Sequence, residues 1–122
     1  MRVIGLLKAD KDSESGAPPS PELLEACGKF IEEITKAGVL LASDGLQPSA
    51  KGKRVRLAGG RTTVMDGPFT ESKELIASYA LLEVKSMAEA VEWTTRFLRA
   101  LGGGECEIRP LYEAPECPGG AA

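Results

Sequence analysis

Ile76-Ala77-Ser78-Tyr79-Ala80-Leu81-Leu82-Glu83-Val84 reads as a long β-strand whose centre, Ala80-Leu81-Leu82, is apolar on successive residues. Neighbouring side chains on a strand leave opposite faces of the sheet, so a consecutive apolar run belongs to a strand covered on both sides. Residues 2 to 7 repeat the pattern: Val3, Ile4, Leu6 and Leu7 are bounded by Lys8 and a polar stretch, Asp10 to Ser20, that is expected to be an irregular or mobile loop. These two strands are expected to be the central ones.

The flanking segments supply helices. Ser20 is placed to cap a helix with Pro21 at its first position, and Leu23, Leu24, Cys27, Phe30, Ile31 and Ile34 recur at three- and four-residue steps before Gly38. This predicts an amphipathic helix over 21–37, with Glu22, Glu25, Lys29, Glu32, Glu33 and Lys36 on its solvated face. Val39 to Ala42 follows as a short strand ended by the turn-prone Ser43-Asp44-Gly45. Ser86-Met87-Ala88-Glu89 is a capping box opening a second helix, with Ala90, Trp93, Phe97 and Leu101 in one stripe and Thr94 and Leu98 beside it, stopped by Gly102-Gly103-Gly104. The last strand, Glu105 to Tyr112, alternates cleanly and carries Pro110, as an edge strand tolerates. Beyond Glu113 the Pro, Gly and Ala content reads as a flexible tail, 114–122, so one domain over 1–113 is expected.

Between these elements Arg54 to Leu57 and Thr62 to Met65 form the arms of an inserted hairpin over 54–65, turned at Gly59-Gly60. Without it the order is β-α-β-β-α-β, the split βαβ arrangement of an α+β domain with both helices on one face of an antiparallel sheet. The other face is left bare. An exposed apolar patch of several hundred Å² forgoes on the order of 10 kcal/mol at about 25 cal/mol per Å², so the expected state is a homodimer with two sheets packed face to face into a dimeric α/β barrel.

Composition narrows function. The 122 residues carry 43% hydrophobic and 27% charged residues and a net charge of −3, which gives no general reason to expect nucleic acid. The longest apolar run is far short of a membrane span, and a cytoplasmic location is the default expectation. Cys27, Cys106 and Cys117 have neither disulfide-framework nor zinc-site spacing and read as reduced thiols; no metal or other cofactor is expected. No histidine is present, so any acid–base chemistry rests on other groups. Lys51, Lys53, Arg54, Arg56 and Arg61 place five of the 15 basic residues within eleven positions, read either as an anion site or, in preference, as charges guarding a hairpin edge.

Chemistry concentrates at Val64-Met65-Asp66-Gly67-Pro68-Phe69-Thr70-Glu71-Ser72-Lys73. Gly67 can adopt positive φ and Pro68 fixes its own, so a sharp turn presents Asp66 at a strand end. Asp66 is either a general base in a pocket or a turn-former whose carboxylate caps backbone amides. Asp44, Glu71, Lys73 and Tyr79 are the candidate ligand-binding residues around it, each with an ordinary structural alternative. The tetrapeptide Asp66-Gly67-Pro68-Phe69, with Glu71-Ser72-Lys73-Glu74, Gly38-Val39-Leu40-Leu41, Asp44-Gly45-Leu46-Gln47-Pro48-Ser49 and Glu107-Ile108-Arg109-Pro110, resembles the DGPF-domain proteins of the YCII-related family from about residue 2 to Tyr112. The resemblance implies a ferredoxin-like, dimeric α/β barrel. A His-Asp pair proposed for some YCII-type proteins does not carry over, because only Asp66 of it is present. The expectation is a small-molecule-binding protein with a pocket near Asp66, with an interaction or regulatory module linked to sigma-factor neighbours as the alternative.

Overall fold

The structure, a computed structural model, describes residues 1–70 and 74–113. It is a mixed α+β domain of antiparallel sheets. The described residues form six strands, β1 (Arg2–Lys8), β2 (Leu40–Gly45), β3 (Lys53–Ala58), β4 (Arg61–Asp66), β5 (Ile76–Glu83) and β6 (Cys106–Pro110), with helices α1 (Lys11–Ser15) and α2 (Pro21–Lys36) between β1 and β2 and α3 (Met87–Leu101) between β5 and β6. Four strands form one sheet in the order β2-β5-β1-β6, and β3 with β4 form a separate ribbon. The strands with consecutive apolar residues, β1 and β5, take the two central places.

Register shows how their side chains divide. Val3 faces Leu82 and Pro110, Gly5 faces Ala80 and Ile108, and Leu7 faces Ser78 and Cys106. Val3 and Leu82 are buried in the core with Phe30 and Ile34 of α2 and Ala90 of α3, so this set looks toward the helices. The alternate set, Ile4 with Leu81 and Leu6 with Tyr79, leaves the helix-free face and is only half-buried. The two helices are joined above the sheet by Phe30, whose ring centroid lies 6.2 Å from Trp93 and 5.7 Å from Phe97, and by an ion pair between Arg96 and Glu33.

The helix ends follow local chemistry. Ser20 Oγ accepts from the Leu23 amide at 3.1 Å with Pro21 at the first helical position. Ser86 Oγ accepts from the Glu89 amide at 3.2 Å, but the Glu89 carboxylate reaches one residue further back than a capping box would, accepting from the Lys85 amide at 2.8 Å. Several boundaries differ from the sequence reading; the last strand, for one, is shorter than Glu105 to Tyr112, spanning Cys106–Pro110. The Asp10–Ser20 stretch contains α1, because Asp10 and Ser13 cap one another reciprocally. The β2 strand runs on through Ser43-Asp44-Gly45, since Asp44 pairs with Tyr79 and Gly45 with Ser78 across the ladder. The hairpin is a residue longer at each end, and Gly59 and Gly60 take φ of 58° and 76° at its turn, a conformation that a side chain would strain.

Candidate functional site

A cavity of about 390 Å³ lies between the two long helices and the sheet. Its floor is made by Gly5, Ser43, Gly45, Ser78 and Ala80, all at helix-facing positions of their strands. Side chains this small cannot fill the distance from sheet to helix, so the layer that is closed by Val3, Leu82 and Ile34 at one end is open at the other. Phe30, Trp93 and Phe97 supply an aromatic roof, with Ile31, Ile34 and Thr94 beside them. Polar groups are few. The hydroxyls of Ser43, Ser78 and Thr94 make no hydrogen bond to another described residue. Burial pushes the Cys106 thiol up, which keeps it protonated at neutral pH, and Cys27 is raised for the same reason. Among the described residues no group of His, Cys, Asp or Glu is arranged to hold a metal ion.

Asp44 and Tyr79 border this cavity and are brought together, the Tyr79 hydroxyl donating to Asp44 Oδ2 at 3.3 Å. Alternation sends both side chains to the helix-free face, opposite Ser43, Ser78 and Ala80, so the cavity meets their backbone. Asp66 stands elsewhere. Its side chain is 75% exposed at the end of β4, and Lys53 Nζ holds it at 2.5 Å across the ribbon. Asp66 does not line this cavity, and its carboxylate meets lysine instead of capping the turn amides; a second space, of about 480 Å³, is lined by Arg54, Val55, Arg56, Thr63 and Met65 of the ribbon that Asp66 ends. Glu71 and Lys73 lie outside the described residues, as does Cys117.

What the turn after Asp66 does is structural. Its amides go to the segment before β3: the Gly67 amide donates to the Gly52 carbonyl at 3.0 Å and the Phe69 amide to Ser49 Oγ at 3.1 Å. Ser49 opens a short 3-10 turn, Ser49–Lys51, and is itself held by Glu14, whose carboxylate accepts from the Ser49 amide at 2.9 Å and from its hydroxyl at 2.5 Å. The Arg54 guanidinium lies 4.0 Å over the Phe69 ring. Gly67 is needed for space and not for positive φ, which it does not adopt: a Cβ there would sit 1.8 Å from the Ser49 carbonyl oxygen. Ser49 and Glu14 are the partners that the sequence reading missed. They lie 35 residues apart, and no local pattern joins them.

These features define a small α+β domain with a helix–sheet cavity and a bracketed turn at Asp66-Gly67-Pro68-Phe69. The chain belongs to the YCII-related family, whose domain model matches residues 1–114. It is similar to an uncharacterized protein of Rhizobium meliloti (strain 1021), 34% identical over 93 residues that cover 74% of this chain and 72% of the other. Among solved structures it is similar to the 5-chloro-2-hydroxyhydroquinone dehydrochlorinase TftG of Burkholderia phenoliruptrix AC1100, in complex with 2,5-dihydroxybenzoquinone. That likeness has a TM-score of 0.53 and 14% identity and covers 93% of this chain and 96% of the other, which establishes a shared fold.

Two outcomes follow from the bracket. Gly67→Ala should destabilise the domain by about 1–3 kcal/mol, the usual cost of forcing atoms into occupied space; an unchanged thermal midpoint would show that the Ser49 turn yields freely. The Ser49 hydroxyl and amide hold the Glu14 carboxyl below its ordinary range. A lowered folded pKa means that the ionised group contributes stability above the unfolded pKa and that this is lost as pH falls through the folded one. The stability gap between wild type and Glu14→Gln, measured by thermal melts across pH, should be full at neutral pH and close as pH falls below about 4.3.

Proposed function

We propose that this YCII-related protein binds a small planar ring compound in the cavity between α2, α3 and the sheet. The observation that carries the reading is the combination of a floor of small residues with an aromatic roof. A flat floor and the faces of Phe30, Trp93 and Phe97 favour a molecule one ring thick, since aromatic rings stack or meet edge to face at short range. The volume is at the lower end of ligand sites, about 300–1,000 Å³, which suits one or two fused rings. Ser43, Ser78 and Thr94 offer hydroxyls that can both donate to and accept from ring substituents. The compound held by the dehydrochlorinase is a single ring, and this makes it a reasonable first probe. Acid–base chemistry at Asp66 forms no part of the reading, because that carboxylate is ion-paired outside the cavity.

Trp93 is the chain's one tryptophan, so intrinsic fluorescence reports on the cavity roof directly. Titration with 2-naphthol, hydroquinone and 2,5-dihydroxybenzoquinone should change Trp93 emission saturably and raise the thermal midpoint for at least one of them. Ala80→Leu fills the floor and should weaken that binding at least tenfold while circular dichroism stays the same. Absence of a saturable response to every ring, or an equal response in Ala80→Leu, would remove the proposal.

The same reading makes the protein a homodimer in which two ferredoxin-like sheets join their helix-free faces as an α/β barrel. The half-buried Ile4, Leu6 and Leu81 support it, since these side chains have no helix over them. Light scattering at low micromolar concentration should give about twice the 12.9 kDa chain mass; a mass near that of one chain would rule the barrel out.

A further inference from the structure

Two of the hydroxyls that line the helix–sheet cavity stand back from its rim. Ser78 lies on β5, one strand in from the sheet edge, and Thr94 lies on α3; both are half-buried, whereas Ser43 on the edge strand β2 is exposed. Among the described residues no buried polar side-chain atom lacks a hydrogen-bond partner. The Ser78 and Thr94 hydroxyls have no partner among those residues, so they are not sealed in protein and open on the cavity itself. A hydroxyl so placed can donate to a ring oxygen or accept from a ring hydroxyl, and that hydrogen bond is stronger beside apolar walls than in water.

The wall has no cation to hold an ionised ring. Among the described lining residues none is Lys or Arg, and those that can ionise are Asp44, Tyr79 and Cys106. The Tyr79 hydroxyl donates to the Asp44 carboxylate, and burial keeps the Cys106 thiol protonated. The charges just outside do not supply what the wall lacks. On α3, Glu89 accepts from the Trp93 indole N–H at 3.2 Å, and Arg96, 4.5 Å over the same ring, is paired with Glu33 of α2. Beyond Leu7 at the end of β1, Lys8 is paired with Glu107 of β6 at 3.5 Å. An anion entering here would exchange water for hydroxyls and hydrocarbon beside a net acidic surround. Burying an ion without an opposite charge costs far more than burying a neutral hydroxyl that keeps a partner.

We propose that the cavity selects oxygen-substituted rings in their uncharged form, with Ser78 and Thr94 meeting the ring oxygen and the corresponding anion left in solution. This rests on the ring-binding reading of the cavity and narrows it to neutral phenols and related hydroxylated or oxo-substituted rings, as opposed to phenolates and ring carboxylates.

Two probes of nearly one shape test it: 4-nitrophenol, whose hydroxyl ionises near neutral pH, and 4-nitrotoluene, in which a methyl group replaces that hydroxyl and cannot ionise. Calorimetric titration of the full chain should give an affinity for 4-nitrophenol that is constant below the probe's own pKa and falls about tenfold for each pH unit above it, because only the neutral fraction binds. The affinity for 4-nitrotoluene should stay level over the same range. Ser78→Ala/Thr94→Val removes both hydroxyls with little change of shape and, in a variant shown by circular dichroism to be folded, should weaken 4-nitrophenol about fivefold more than 4-nitrotoluene, the effect of about one hydrogen bond. Equal affinity for phenol and phenolate would overturn the proposal. So would a fall in 4-nitrotoluene affinity parallel to that of 4-nitrophenol, which would place the titration on the protein, or equal losses for the two probes in the double variant. In each of those cases ring binding itself stands; if neither probe binds at any pH, both fall.

Discussion

Alternation along β1 and β5 is the constraint on which the rest of this structure depends. A strand cannot turn two neighbouring side chains the same way, so Val3, Leu82 and Ala80 claim the helices and Ile4, Leu6 and Leu81 are left facing away. Everything else adjusts to that division. The helices bring their apolar stripes to one face, where they close the core at Val3 and Ala90, and the second face remains half-covered within one chain. Among the described residues the two remaining strands do not extend that sheet but form a separate ribbon.

The same alternation creates the cavity. Small residues at helix-facing positions are harmless in pairs with large partners, but Gly5, Ser43, Gly45, Ser78 and Ala80 come together on neighbouring strands and line an open space with the rings of the helices. The site is thus a consequence of register. The turn at Asp66-Gly67-Pro68-Phe69 has a different role, as a bracket: it ties the end of the arm to Ser49, and Ser49 ties both to α1 through Glu14. A distinctive tetrapeptide here marks close backbone packing, with its carboxylate paired to Lys53.

Much of the architecture was written locally. Caps at Ser20 and Ser86, the stop at Gly102, the Gly59-Gly60 turn and the consecutive apolar residues of the central strands are short-range signals that act through hydrogen bonds and steric limits within a few residues. Where such signals were weak the boundaries moved: α1 formed from a reciprocal Asp10–Ser13 cap inside a stretch that reads as a loop, and β2 continued through Asp44-Gly45 because β5 supplied partners for it. The family, too, was legible, since its motifs are contiguous in the chain.

The sequence by itself determined the order of the strands and the two long helices, the two central strands and the fact that one sheet face lacks a helix, because each follows from spacing along the chain. Only the tertiary structure decided which small residues share a floor, that Ser49 donates to Glu14 and accepts from the Phe69 amide, and that Asp66 pairs with Lys53. The physical reason is that these depend on contacts between residues far apart in sequence, set by strand register and by close backbone approach, neither of which leaves a periodic trace in composition.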